Sequence, residues 1–283
     1  MERRLAKSFR VFAGALFLLS CFAEGAQAQA SFSKQATISE TAGKLRLSGN
    51  DSRPLTQALT ALQQKFGWRL NYEDPQYISK LDVVAAKDLL DKSSYPDGEH
   101  RIPRGGVFAV EFPAGSPPDA APDEQKTLQL IVDAYNRSGN PGQFELRRDK
   151  DRTEQVFDVV GTAAHDNQGR VSGQQAVLDL PITLAVEERT ASDTIDLICQ
   201  KIAEKAHVKI TLGVHPLGLD RIKVTVGGKE LAARSYLFRA LESPGPPLSW
   251  RLLYDPDSNS YFMNLHHIKL TPAKATSAPK SAP

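Results

Sequence analysis

The sequence predicts an α+β protein made of two tandem βαββαβ-type modules, each a small sheet with two helices packed on one face. Three observations predict it. Residues 192–210, SDTIDLICQKIAEKAHVKI, read as one helix running into one strand: Ile195, Ile198, Cys199 and Ile202 fall at i, i+3, i+4 and i+7, and then Val208 and Ile210 alternate. Other stretches repeat that unit of helix followed by strand. Each half of the chain then has the order strand, helix, strand, strand, helix, hairpin, and repetition at long period speaks for architecture more strongly than any single element.

The first 28 residues are set aside before the elements are assigned. Arg3, Arg4, Lys7 and Arg10 precede the apolar run 11–19, and Ala26, Gln27 and Ala28 supply a small-x-small cleavage pattern. This is the layout of a secretory signal, with an apolar run too short to cross a bilayer. Export to the periplasm or the extracellular space is therefore expected, with no integral span after cleavage. Loss of residues 1–28 leaves equal numbers of basic and acidic side chains. A neutral chain lacks the concentrated positive field that nucleic acid or an anionic membrane surface requires. Cys21 follows Leu18, Leu19 and Ser20. The segment resembles a bacterial lipobox and implies an alternative in which Cys21 carries a lipid anchor. Cys199 is then the single remaining cysteine, on an apolar helical face, with no partner for an internal disulfide.

Residues 29–43 are polar and aperiodic and read as a flexible leader. The first module is expected over 44–161. Leu45 and Leu47 open a strand, and Leu55, Ala58, Leu59, Leu62 and Phe66 line a helix that Pro54 starts and Gly67 ends. Trp68, Leu70 and Tyr72 alternate as the following strand. A loop insert spans 77–106, with a short helix expected near 80–90 and a Pro/Gly-rich loop over 93–106. Residues 107–112, VFAVEF, form a strand, and 113–122 are Pro-rich and extended. The second helix spans about 123–138 through Leu128, Ile131, Val132 and Tyr135. A hairpin over 144–148 and 155–160 closes the module across the charged turn 149–154.

A polar linker is expected over 162–176, and the second module over 177–270. Residues 178–186 supply its first strand, and Ser192 is a plausible N-cap for the helix that follows. Residues 221–226 form another strand, and 231–241 the fourth helix, with Gly227 and Gly228 as the turn before it. Residues 250–254 and 261–265 form a closing hairpin across DPDSN. The segment 271–283, TPAKATSAPKSAP, is too poor in large apolar side chains to join a core.

Chemistry is sparse in this sequence. No GxSxG elbow, GxxxxGK[ST] or GxGxxG motif occurs. His266 and His267 are adjacent on a strand and so point to opposite faces, which prevents them from sharing a metal. Cys199 has apolar neighbours rather than the cations that make a thiolate reactive. Glu73 and Asp74 are a candidate carboxylate pair at a strand end, and they read as solvated acids of a turn rather than an acid/base pair because nothing places a second group opposite. No catalytic residue, cofactor or metal site is predicted. The aromatic closing hairpin stands out instead: Trp250, Tyr254, Tyr261 and Phe262 are candidate interaction residues, with apolar character on both strand faces. Either one face meets a partner, including through β-augmentation, or both are buried within the module.

Residues 55–75, LTQALTALQQKFGWRLNYEDP, resemble the short N-terminal module of secretins and TonB-dependent transducers. In that module a helix of the form LxxALxxLxxxxG feeds a strand that ends near an Asp. Residues 221–243, RIKVTVGGKELAARSYLFRALES, look like its second half. No outer-membrane barrel or secretin ring follows here, and the insert 77–106 is a further departure. The resemblance implies a periplasmic module that docks onto another protein. The resulting expectation is a non-catalytic envelope protein acting in protein–protein interaction or assembly, with unidentified envelope proteins as partners. The alternative is an exported enzyme or small-ligand binder with its site between the two modules, where the insert would form a lining.

Overall fold

The computed structural model describes residues 35–86, 100–116, 120–148, 155–242 and 247–269. The signal segment, Cys21, the turn 149–154, the 271–283 tail and much of the insert lie outside the described residues. The described fold is α+β. Its elements are β1 (Thr37–Thr41), β2 (Lys44–Asn50), α1 (Pro54–Phe66), β3 (Arg69–Glu73), β4 (Val83–Ala85), β5 (Arg101–Pro103), β6 (Val107–Pro113), α2 (Glu124–Asn136), β7 (Gln143–Arg148), β8 (Val156–His165) and β9 (Val171–Gly173). The second half continues with β10 (Pro181–Thr190), α3 (Ala191–Ala206), β11 (Lys209–Leu212), β12 (Lys223–Ala232), α4 (Ala233–Leu241), β13 (Leu248–Asp255) and β14 (Ser260–His267).

Local chemistry places the helices. Pro54 occupies the first turn of α1, where its missing N–H would have no helical partner anyway. Gly67 ends that helix in the left-handed region at φ 73°, and its N–H donates to the Gln63 carbonyl at 2.9 Å. Asp123 caps α2 by accepting the Lys126 N–H at 2.9 Å. At α3 the cap is Thr190 rather than Ser192: the Thr190 hydroxyl accepts the Asp193 N–H at 3.0 Å. Ser192 already lies in the first turn and donates to Asp220 at 2.6 Å. The buried face of α3 includes Ile195, Ile198, Cys199 and Ile202, as the spacing predicts. Each buried isoleucine contributes about 1.5–3 kcal/mol relative to an exposed one.

Strand pairing follows one scheme in both halves. β2 pairs β6 antiparallel, and β10 pairs β12 antiparallel. β3 pairs β8 parallel and β8 pairs β7 antiparallel; β11 pairs β14 parallel and β14 pairs β13 antiparallel. The expectation of one small sheet per half with helices on one face is corrected by this layout. In each half the two helices lie between two sheets, so α1 touches both β2 and β3, and α3 touches both β10 and β11. One of those sheets is shared. Its strand order is β11-β14-β13-β3-β8-β7, and β13 meets β3 in parallel through Arg251↔Tyr72 and Leu252↔Glu73.

The halves cover opposite faces of that shared sheet. Leu70, Tyr72, Phe157 and Val159 pack into the core of α1 and α2. Trp250, Leu252, Tyr254 and Val156 pack into the core of α3 and α4. Strands near the junction are therefore covered on both sides: every residue of β3 is buried, so the expected alternation of Trp68, Leu70 and Tyr72 has no exposed counterpart.

Several segments depart from the sequence expectation for identifiable reasons. Part of the expected leader forms β1, which folds back on β2 through Ala42 and Gly43, both at positive φ as a two-residue hairpin turn requires. Alanine is an unusual residue there, which hid the turn. Val83–Ala85 is a strand paired with Arg101–Pro103, where the sequence suggested helix and loop. The expected linker is structured: β8 runs through His165, and Val171–Gly173 pairs back onto Ala163, Ala164 and His165. Gly227 and Gly228 lie inside β12. A Cβ on Gly227 would come within 2.5 Å of the Val186 backbone, so β10 and β12 meet too closely there for any side chain.

Candidate functional site

The aromatic residues of the closing hairpin lie mainly inside the molecule. Trp250 is 0% exposed, and its ring meets Phe238 of α4 edge-on at 4.6 Å between centroids. Tyr254 and Tyr261 are also buried, with their rings 5.0 Å apart, and Tyr77 lies 6.5 Å from Tyr254. The cause is position in the sheet: β13 and β14 are internal strands, flanked by β3 and β11. These three residues therefore form no docking face, and the hairpin offers no free edge for β-augmentation. Phe262 alone of the four reaches the surface, at 37% exposure.

The acids of 72–75 are not solvated either; Glu73 and Asp74 are each 1% exposed. They form the polar seam between the halves. One Asp74 carboxylate oxygen accepts from the Tyr72 hydroxyl at 2.6 Å and the Tyr77 hydroxyl at 3.2 Å. The other accepts from Arg53 Nε at 2.8 Å and the Tyr254 N–H at 2.9 Å. Arg53 also donates to the Tyr254 carbonyl. Burial beside this carboxylate pushes the Tyr72 and Tyr77 phenols well above their usual range. At neutral pH they are neutral donors.

A second cluster centres on Arg234, in the first turn of α4. Its guanidinium donates to Glu73, to Asp158 at 3.3 Å and to Asp179 at 3.1 Å. Asn71 donates to Asp158 at 2.8 Å, the Leu178 N–H donates to Glu73 at 3.1 Å, and Arg147 donates to Asp179. Burial raises the Glu73 and Asp158 carboxyls despite these partners. The cluster is absent from the sequence expectation. A signal was present: Arg234, Leu237, Phe238 and Leu241 fall at i, i+3, i+4 and i+7, which sets a cation on the apolar stripe of α4.

Arg251 is the converse case, a buried guanidinium held by neutral acceptors. It donates to the carbonyls of Leu70 and Trp250 and to the Gln63 side chain, and burial lowers it to about 10. Gln63 also donates to Ser249 at 3.0 Å, so α1 reaches the face of β13 that α4 does not cover.

The remaining titratable groups form smaller arrangements. Asp82 accepts both the His165 backbone N–H and Nδ1–H at 2.7 Å, which fixes the imidazole in the manner of an acid-oriented histidine. Among the described residues, neither partner is bonded to a hydroxyl or thiol nucleophile. Cys199 is buried, and the apolar surroundings push its thiol up to about 12. Among the described residues, no group of three or more His, Cys, Asp and Glu side chains is placed to hold a metal ion. Among those residues no helix is long and apolar enough to cross a membrane.

Exposed apolar side chains include Val107, Val171 and Val186 as well as a group at the β11 end of the shared sheet. β11 is a terminal strand; Val214 and Leu217, which follow it in the chain, are 59% and 84% exposed, and Phe262 on the neighbouring β14 is 37% exposed. Leu265 N–H donates to the Val214 carbonyl at 2.8 Å, so Val214 continues the β11 edge, while Phe262, paired with Thr211, lies on the sheet face opposite the buried Tyr261 and Met263. No family model, curated protein or solved structure matches this chain.

Proposed function

We propose that this chain is an exported, non-catalytic cell-envelope protein that acts by docking onto another protein, as an interaction or assembly module. The observation that carries the reading is the β11 end of the shared sheet. It presents a terminal strand followed in the chain by the exposed Val214 and Leu217, with Phe262 exposed on the neighbouring β14. Exposed apolar residues beside an unpaired strand edge are a common basis for protein recognition. The buried acids support the same reading from the other side. Glu73, Asp74 and Asp158 are engaged by Arg234, Arg53, Asn71, tyrosine hydroxyls and backbone amides, so they act as joinery. The signal-like residues 1–28 support export, and the matching strand scheme of the two halves accords with two copies of a module similar to the short N-terminal module of secretins and transducers.

The test is fractionation of cells expressing the tagged chain, followed by crosslinking and affinity capture from the envelope fraction. Wild type is expected in the exported fraction with a defined crosslinked product. Leu217→Ser with Phe262→Ser should lose that product while keeping its thermal melt. A chain retained in the cytoplasm, or a product indifferent to both substitutions, contradicts the proposal.

A further inference from the structure

We propose that the protein assembles head to tail with further copies of itself, the β11 edge of one copy pairing in parallel with the β7 edge of the next. The inference rests on the docking reading above and names its partner. It starts from the joint already built inside the chain. There, β13 of the second half lies parallel to β3 of the first through Arg251↔Tyr72 and Leu252↔Glu73.

Register identifies what corresponds to what. In the first half Val159 is opposite Tyr72 on one side and Leu146 on the other. In the second half Met263 is opposite Leu212 and Leu252 in the same way. Leu212 therefore holds the place of Tyr72, and Leu146 the place of Leu252. The internal joint unites a strand of the β13 type with one of the β3 type. β7 is the remaining strand of the first type and β11 the remaining strand of the second, and they are the two ends of the sheet. An interface that unites unlike edges leaves one of each free, and repetition of the same contact gives an open chain of subunits.

The backbone groups agree with this reading. At the joint, β13 offers the Trp250 N–H to Asn71, the Leu252 carbonyl to the Asp74 N–H, and the Tyr254 N–H to the Asp74 carboxylate. On β7 the corresponding residue to Trp250 is Phe144, whose N–H and carbonyl are closed by Asn136 at 2.9 and 2.8 Å. The backbone N–H groups of Leu146 and Arg148 point to the same outer side as that of Phe144, and among the described residues no strand pairs with that side. On β11 the Gly213 N–H bonds inward to the Met263 carbonyl, so the Leu212 N–H points outward, while the Leu212 side chain packs on the core of α3 and α4. The side chains around that edge differ in kind from those at the joint. Phe262 stands where the first half has Asp158, because both sit one residue before the matched Met263 and Val159. Next to the β11 edge an apolar side chain thus replaces an acid of the internal joint, while the facing β7 carries Glu145, Arg147 and Arg148.

Sedimentation velocity over a concentration series tests the inference, with proline placed on each edge at an outward N–H, where a strand tolerates it best. Wild type is expected to grow beyond a dimer as concentration rises. Leu212→Pro alone and Arg148→Pro alone are expected to be monomers, since every joint needs one edge of each kind. Their mixture retains one intact edge of each kind and is expected to stop at a dimer. Phe262→Lys replaces Leu212→Pro if that variant's circular dichroism or melt departs from wild type. A wild type that stays monomeric overturns the inference, as does assembly that survives in either single variant or a mixture that fails to pair. A monomer that still crosslinks through Phe262 to a different envelope protein overturns this inference while leaving the docking reading in place.

Discussion

The Tyr254 backbone N–H donates to the Asp74 carboxylate at 2.9 Å, and so ties the last hairpin to the end of β3 across 180 residues of sequence. The same carboxylate serves Arg53 and two tyrosine hydroxyls. Asp74→Ala should therefore cost about 3–5 kcal/mol, because it strands a largely buried guanidinium and several donors at once. Urea denaturation checks the value. A single transition by fluorescence and circular dichroism is expected before and after, since the halves share one sheet.

Arg234→Met should be severe at neutral pH for a related reason. It leaves Glu73 and Asp158 buried without their cation, a loss of about 3–5 kcal/mol. Both carboxyls are already raised by burial, and removal of Arg234 raises them further. A carboxyl raised in the folded state gives stability that is present below its unfolded pKa and lost as pH rises through the folded one. The variant should thus recover stability as pH falls from 7 towards 5. Melting temperature across that range is the measurement, and a variant whose deficit does not shrink on acidification contradicts the ionic account.

Glu124 gives a pH dependence in the wild type. Burial of its side chain at the start of α2 raises its carboxyl to about 7, and one of its buried oxygens has no hydrogen-bond partner among the described residues. By the same sign, its contribution is full below the usual carboxylate range and falls away as pH rises through 7. Glu124→Gln should flatten the melting-temperature profile between pH 5 and about 8. An unchanged profile would place Glu124 in water.

Cys199 should be chemically silent in the native protein. It lies 1% exposed between α3 and the sheets, with a thiol raised to about 12. Maleimide labelling followed by mass spectrometry should show no native modification and full modification in denaturant. Rapid native labelling would mean that α3 opens locally.

The parts of the fold legible in the sequence are those governed by local rules. The apolar faces of α1 to α4, the Gly67 and Asp123 ends, and the two hairpins follow from spacing and capping within a few residues. What was not legible depends on contacts between distant strands. The burial of Trp250, Tyr254 and Tyr261 follows from β13 pairing with β3, more than a hundred residues away, and no periodicity encodes that partner. The same pairing turns Glu73 and Asp74 from apparent surface acids into the seam. Arg234 was the one seam residue with a local sign, a charge on an apolar helical stripe.

The measurement that addresses the central claim most directly is site-specific photocrosslinking in cells, with a photoreactive residue at Phe262, at Leu217 and, as a buried control, at Trp250. A crosslinked protein product in the envelope fraction is expected from the Phe262 and Leu217 positions and none from Trp250. Absence of product at both surface positions, in a chain that is folded and exported, would contradict the claim that this protein works by docking through the β11 end of its sheet.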